Sequence, residues 1–173
     1  MVQKEISINE VKLGLKPLFP RLWRYCLVIT GNHDSANDLA QSACMRALEK
    51  ADLFKSGTRI DHWVFRIAQR IWLNELRAAS VRRGGGMAVL EEQHLPDPAP
   101  GPEENLGVRE ILMQVFTLPE AQRVAFLLVY VEEYSYRETA SILDIPVGTV
   151  MSRLSAARSK LMNKLNPLER QAL

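Results

Sequence analysis

Cysteine is scarce in this chain, which contains Cys26 and Cys44 alone among 173 residues. Both thiols lie in apolar helical patterns, which favours a reduced and buried structural role for each. The histidines His33, His62 and His94 are scattered along the chain, and no set of residues has the spacing of metal ligands. We therefore expect neither a metal nor a cofactor.

Long apolar runs are also missing. The longest uninterrupted run, Val124 to Val131, is far shorter than the ~18 residues that a membrane span requires. Near the N-terminus, Lys12, Lys16, Arg21 and Arg24 interrupt any secretory signal core. The sequence thus predicts a cytoplasmic protein with no membrane span of its own. It contains no nucleophile–base pair and no phosphate-binding loop, so nothing supports an enzyme.

Strand-like alternation is absent, and helical periodicity dominates the chain. Residues 84–107 are rich in Gly and Pro and contain acids but no Lys or Arg, which is typical of a flexible linker. The segments on either side are basic, so the net charge of +2 hides an uneven distribution. We predict an all-α fold of two small helical domains, residues 1–83 and 108–173, joined by this linker.

The C-terminal domain contains two short helices joined by a tight turn. Ser135 and Glu138 have the spacing of a capping box, and Pro146 ends the first helix while suiting the first turn of the next. The turn requires a positive φ at Asp144, which aspartate adopts at modest cost. The second helix is expected to bury Val147, Val150, Leu154, Ala157 and Leu161. This pattern indicates a helix-turn-helix.

The outer face of the second helix is small, polar and basic, and residues 149–164 include no acid. Such a face suits the major groove of DNA, whereas an ordinary amphipathic hairpin, the alternative, has no need of it. The candidate DNA-contacting residues on this face and its flanks are Thr149, Met151, Ser152, Arg153, Ser155, Ala156 and Arg158.

The N-terminal domain is predicted to contain three helices. The first covers residues 8–30, with a break before Arg21 caused by Pro17 and Pro20. The second is capped by Asp34 or Ser35. It reaches about residue 50 and buries Ala36, Leu39, Ala40, Ala43 and Ala47.

The third helix, about residues 61–83, has an apolar face and an arginine face. Its apolar face consists of Trp63, Val64, Ile67, Ala68 and Ile71. For Trp63, at the edge of that face, we prefer core packing to base stacking. The opposite face carries Arg66, Arg70 and Arg77, whereas a solvated face normally mixes charges of both signs. The arginines therefore favour contact with phosphates.

Three segments of the C-terminal domain closely resemble the corresponding domain of extracytoplasmic-function sigma factors, a group of the sigma-70 family. They are Leu118 to Arg123, Tyr134 to Ala140 and Ile145 to Leu154. The resemblance implies that the second helix of the motif reads the −35 promoter element. In that reading Met151, Ser152, Ser155 and Ala156 face bases, and Arg153 and Arg158 contact phosphates.

Two segments of the N-terminal domain resemble the same family. Asn37 to Leu48 resembles the helix that docks on core RNA polymerase, which implies polymerase contacts by Asp38, Gln41, Ser42 and Met45. Residues 54–68 resemble the loop and helix that read and open the −10 element. This implies DNA contacts by Ser56, Thr58, Arg59, Arg66, Arg70 and Arg77, with an unstacked base captured at residues 56–59.

The resemblance implies an alternative sigma factor that binds core RNA polymerase and promoter DNA, directs initiation, and is silenced by an anti-sigma factor. Two rival hypotheses remain. A stand-alone helix-turn-helix regulator leaves the helix around Asp38 and Gln41 unexplained. A sigma-like decoy usually accompanies a receiver domain, and no segment here fits one.

Overall fold

The computed structural model describes residues 2–82 and 114–165, and the side chains of residues 8–82 and 114–163. The regular structure of these residues is helical. No strand occurs within these ranges, which confirms the all-α prediction there. The chain divides into two units, Met1–Gln93 and His94–Leu173. The predicted linker, residues 84–107, lies outside the described residues.

The N-terminal unit contains three long helices: α1 (Val2–Thr30), α2 (His33–Glu49) and α3 (Ile60–Arg82). A short 3-10 turn, Ala51–Leu53, follows α2. The core of the N-terminal unit includes the ring of Tyr25, which stacks on the ring of Phe65 with the two centroids 4.8 Å apart. The Tyr25 hydroxyl donates a hydrogen bond of 2.7 Å to Gln69 Oε1, which ties α1 to α3.

Helix α1 is continuous through Pro17 and Pro20, so the predicted break before Arg21 is wrong. Both prolines are exposed, whereas the apolar residues on the other side of α1, including Leu15 and Leu18, are buried. Water is available to the carbonyl groups that the prolines leave without a donor. Burial of the opposite face therefore outweighs the helix-breaking tendency of proline.

The N-cap of α2 lies two residues before Asp34 and three before Ser35, the predicted caps. It is Asn32, whose side chain accepts a hydrogen bond of 3.0 Å from the Ser35 backbone N–H. The sequence reading missed this cap because Asn32, Asp34 and Ser35 all suit an N-cap. The predicted buried face of α2 is confirmed at Ala36, Leu39, Ala40, Ala43 and Ala47.

Helix α3 is rotated relative to the predicted apolar face. Its fully buried apolar residues are Val64, Phe65 and Ala68, whereas Trp63 and Ile67 are half-buried. The reason is the packing of Phe65 against Tyr25, which draws that side of α3 into the core. As a consequence, one edge of the Trp63 and Ile67 side chains remains at the surface.

In the C-terminal unit, helical residues 114–116 precede α4 (Glu120–Phe126), which continues into a π-helical turn, Leu127–Val131. Two further helices follow: α5 (Tyr136–Leu143) and α6 (Val147–Leu165). The side chains of α6 form two clusters, one with residues just before α4 and one with α4 and α5. These clusters contain Val115, Leu118, Ala157 and Leu161, and Ala125, Ala140, Val150 and Leu154.

The helix-turn-helix forms as the local signals predict. Both hydrogen bonds of the Ser135–Glu138 capping box are present. Asp144 ends α5 in the left-handed region, with φ 56° and ψ 47°. One position differs: Val147, predicted to be buried, is 37% exposed. It is the first residue of α6, where the chain has just left the turn and the core contacts begin with Val150.

Candidate nucleic-acid interface

The predicted DNA-contacting residues of α6 share one exposed side of the helix. Met151, Ser152, Ser155 and Arg158 are exposed, and Thr149, Arg153 and Ala156 are half-buried. The Ser152 hydroxyl donates to the Thr149 carbonyl at 3.0 Å, which leaves its lone pairs to face outward. No acid occurs between Val147 and Leu165, so the electrostatic potential of this helix is set by its basic residues.

The arginine face of α3 borders two surface hollows, of about 350 Å³ and 310 Å³. Three side chains, Trp63, Ile67 and Arg70, line both of them. The first hollow is completed by Thr58, Arg59, His62 and Arg66. The second is completed by Arg46, Lys50, Leu53, Ile71 and Asn74. The structure thus brings Thr58, Arg59, Arg66 and Arg70 together around the half-buried ring of Trp63, so the arginines adjoin the predicted apolar face and do not lie opposite it.

Trp63 packs against the core and also borders the surface hollows. Its ring packs against the buried Phe54, with centroids 5.1 Å apart, and another part of the same side chain lines both hollows. Arg77 lies farther along α3 and is not among the lining residues. Its guanidinium donates to Asn74 Oδ1 at 3.2 Å.

Arg59 is held by a carboxylate that sequence reasoning missed. Arg59 Nη2 lies 2.8 Å from Asp61 Oδ2, and its Nε donates to Oδ1 at 3.2 Å. Asp61 is buried and also pairs with Arg21 Nη2 of α1 at 3.3 Å. The carboxylate therefore fixes the direction of Arg59 and joins the start of α3 to α1. In the sequence, the i, i+2 spacing of Arg59 and Asp61 was the signal that could have indicated this ion pair.

Residues 55–59, here called the entry loop, lie before α3 and are tied to α1. The Ser56 hydroxyl donates to Glu10 Oε2 at 2.6 Å, and the Gly57 backbone N–H donates to Glu10 Oε1 at 3.4 Å. Thr58 Oγ1 donates to the Lys55 carbonyl at 2.6 Å. Gly57 has φ +78°, a conformation that closes the turn and favours glycine. Ser56 and Thr58 are both exposed.

The predicted polymerase-binding residues of α2, Asp38, Gln41, Ser42 and Met45, are all exposed, which agrees with their predicted position on the outer face. Sequence reasoning missed an acid beside them. Burial and, secondarily, the charge of Asp38 raise the pKa of Glu75 on α3. Asp38 and Glu75 therefore lie within electrostatic range of each other.

No cluster of His, Cys, Asp and Glu suited to a metal ion occurs in residues 2–82 and 114–165. Cys26 and Cys44 are free thiols. Burial, with a smaller contribution from Cys44, raises the pKa of Cys26 to about 12, so this thiol stays protonated. Among the helices that the structure describes, none is both long and apolar enough to cross a membrane.

Two family models match the chain in sequence order. Residues 16–82 match region 2 of sigma-70, and residues 109–161 match region 4. The chain is 33% identical over 148 residues to the ECF RNA polymerase sigma factor EcfG of Rhodopseudomonas palustris, covering 82% of this chain and 77% of that protein. It is 28% identical to SigW of Bacillus subtilis, covering 97% and 98% of the two chains.

Solved structures show the same arrangement of elements. The sigma factor RpoE of Bartonella quintana, crystallised with the anti-sigma factor NepR, superimposes with a TM-score of 0.75 at 26% identity. The match covers 92% of this chain and 99% of that one. CnrH, solved with the cytosolic domain of CnrY, matches in fold with a TM-score of 0.52 at 19% identity.

Proposed function

Because this chain belongs to the extracytoplasmic-function sigma factors of the sigma-70 family, we propose that three of its surfaces divide the work of transcription initiation. The protein is an alternative sigma factor that binds core RNA polymerase and directs promoter-specific initiation. The observation that carries this conclusion is the presence of regions 2 and 4, in order, in one short chain. A stand-alone helix-turn-helix regulator leaves residues 16–82 without a role.

We assign one role to each of the three segments that the composition predicts. Residues 1–83 bind polymerase and the −10 element, residues 84–107 form the connecting linker, and residues 108–173 bind the −35 element. The exposed residues Asp38, Gln41, Ser42 and Met45 contact the polymerase. The carboxylates of Asp38 and the nearby Glu75, whose pKa is raised by burial and secondarily by Asp38, suit a basic partner surface.

Melting of the −10 element depends on the two hollows beside Trp63. The guanidinium groups of Arg66 and Arg70 attract the phosphate backbone, and Arg77 extends the basic face along α3. A base that leaves the duplex finds an aromatic ring with cationic neighbours in either hollow. Capture of that base offsets part of the cost of unstacking and unpairing. The entry loop, with Ser56, Thr58 and Arg59, adjoins this position.

The −35 element is read by α6 in the major groove. Met151, Ser152, Ser155 and Ala156 face the bases, and Arg153 and Arg158 on the flanks contact phosphates. Thr149, at the start of the helix, lies beside the base-facing set. The exposed small side chains of Ser152 and Ser155 support this arrangement because they let the helix approach the groove closely.

Sigma factors are non-enzymatic initiation factors, and we propose that this chain itself catalyses no reaction. It acts in the cytoplasm, where core polymerase and promoter DNA are found. An anti-sigma factor holds it inactive, as the complex of the Bartonella quintana relative with NepR suggests. Recovery of polymerase but of no second specific partner from the native cell would contradict this regulation.

The direct test is transcription with purified core polymerase and a promoter library. Promoter-dependent transcripts are expected with the protein and not without it. A library that yields none, together with the absence of a complex with core polymerase in gel filtration, would overturn the proposed function.

Exchanging residues of α6 separates base reading from phosphate contact. Arg153→Ala is expected to weaken binding to all −35 sequences and to reduce the dependence of log K on log salt by about one. Ser152→Ala or Ser155→Ala is expected to change the preference at one base pair, by about 1–3 kcal/mol. Selection from a −35 library with each variant measures both effects. A shift at a single position with Arg153→Ala, and none with Ser152→Ala, would reverse the assigned roles.

A further inference from the structure

Both side-chain hydroxyl groups of the entry loop, and the backbone N–H groups of Gly57 and Thr58, donate to acceptors within the protein. The Ser56 hydroxyl proton goes to Glu10 Oε2 at 2.6 Å, and the Gly57 N–H points to Glu10 Oε1 at 3.4 Å. The Thr58 hydroxyl proton goes to the Lys55 carbonyl at 2.6 Å, and the Thr58 N–H goes to the same carbonyl at 3.2 Å.

The two exposed hydroxyl oxygens therefore present lone pairs and no proton to a ligand. A serine or threonine hydroxyl has one proton and two lone pairs, and here the proton of each is already donated. Neither hydroxyl has a proton left to donate to a phosphate oxygen, which is itself an acceptor. The two hydroxyl oxygens suit a group with N–H donors, and the exocyclic amino group of a nucleobase carries two of them.

We infer that the entry loop recognises the exocyclic amino group of an unstacked base through Ser56 and Thr58, and that Glu10 sets this specificity. This inference rests on the proposed capture of such a base. Adenine, cytosine and guanine have such a group. Thymine has no exocyclic amino group. Its two carbonyl oxygens flank a single N–H, so these acceptor oxygens would face the lone pairs of the hydroxyl groups. The loop thus selects against thymine at one position of the −10 element.

Glu10 acts as a positioning residue because it orients the Ser56 proton without itself needing to reach the base. Its carboxylate comes from α1, 46 residues before Ser56 in the chain. Both of its oxygens accept hydrogen bonds from the loop, so it also fixes the backbone at Gly57. Without Glu10, the Ser56 hydroxyl is free to rotate and to donate its proton to a thymine carbonyl.

The experiment uses the full chain bound to core polymerase and a promoter library randomised across the −10 element. The wild-type holoenzyme is expected to reject thymine at one position of the non-template strand. At that position, the selected base is then replaced by its analogue without the amino group: purine, 2-pyrimidinone or hypoxanthine. Loss of the amino group is expected to weaken binding on the order of tenfold in the wild type.

Three variants connect that effect to the loop. Ser56→Ala is expected to reduce the amino-group effect, because one of the two acceptor hydroxyls is lost. Glu10→Ala is expected to admit thymine at the same position, whereas Glu10→Gln retains an acceptor oxygen for the Ser56 proton and keeps the preference. Asp52→Ala removes an exposed carboxylate elsewhere in the unit and serves as the control for charge.

Two outcomes overturn the inference while leaving the sigma function intact. One is active transcription in which the analogues bind as well as the selected base. The other is a base preference that is the same in the wild type, Ser56→Ala and Glu10→Ala. Failure of the wild-type holoenzyme to give any promoter-dependent transcript would instead overturn the proposed function and the inference with it.

Discussion

Arg123→Ala is expected to lower the free energy of unfolding of the C-terminal unit by about 3 kcal/mol. Arg123 is 2% exposed, and its Nη1 donates to the Phe116 carbonyl at 3.1 Å. Its guanidinium also lies 5.6 Å from the centre of the Phe116 ring. Burial lowers the pKa of Arg123, and the charge of Glu120 acts in the opposite direction. The alanine variant leaves a cavity and a carbonyl group without its donor.

The measurement is hydrogen exchange of amides in residues 114–165 under increasing urea. Tryptophan fluorescence supplies an internal control, because Trp23, Trp63 and Trp72 all lie in the N-terminal unit and their transition is expected to remain unchanged. Arg137→Ala, which removes an exposed arginine from α5, is expected to change stability by less than about 0.5 kcal/mol. Equal stability of Arg123→Ala and the wild type would show that the buried guanidinium contributes nothing to this unit.

The helix-turn-helix was predictable because its determinants are local. The Ser135–Glu138 capping box, the positive φ at Asp144 and the start of α6 after Pro146 each depend on a few adjacent residues. The sequence motifs around them are also specific, so the family and the −35-binding helix follow from the same short segment. The exposed face of α2, with Asp38, was predictable from periodicity alone.

The contacts that sequence reasoning missed join residues far apart in the chain. Glu10 reaches Ser56, and Arg21 reaches Asp61, through helix packing that no local pattern encodes. The same limitation explains α1, which stays helical because tertiary burial outweighs the local effect of two prolines. These contacts determine how the residues proposed to bind the −10 element are oriented, and so the chemistry of that surface required the structure.

The combined change Asp38→Arg and Gln41→Ala is expected to weaken binding to core polymerase about 100-fold, which corresponds to about 2.7 kcal/mol. Both side chains are exposed on α2, and neither belongs to its buried face. Reversing the charge at Asp38 places a cation where the partner surface is proposed to be basic. The effect of a lost charge pair at an interface lies in the range of 2–5 kcal/mol.

Folding and binding are separable in this variant because the altered residues lie outside the core. Its helical content by circular dichroism is expected to match the wild type, and the polymerase affinity is measured by fluorescence anisotropy. Asp52→Arg makes the same change of charge at an exposed residue outside α2 and is expected to leave the affinity within about threefold. A double variant that binds as tightly as this control would move the polymerase contact away from α2.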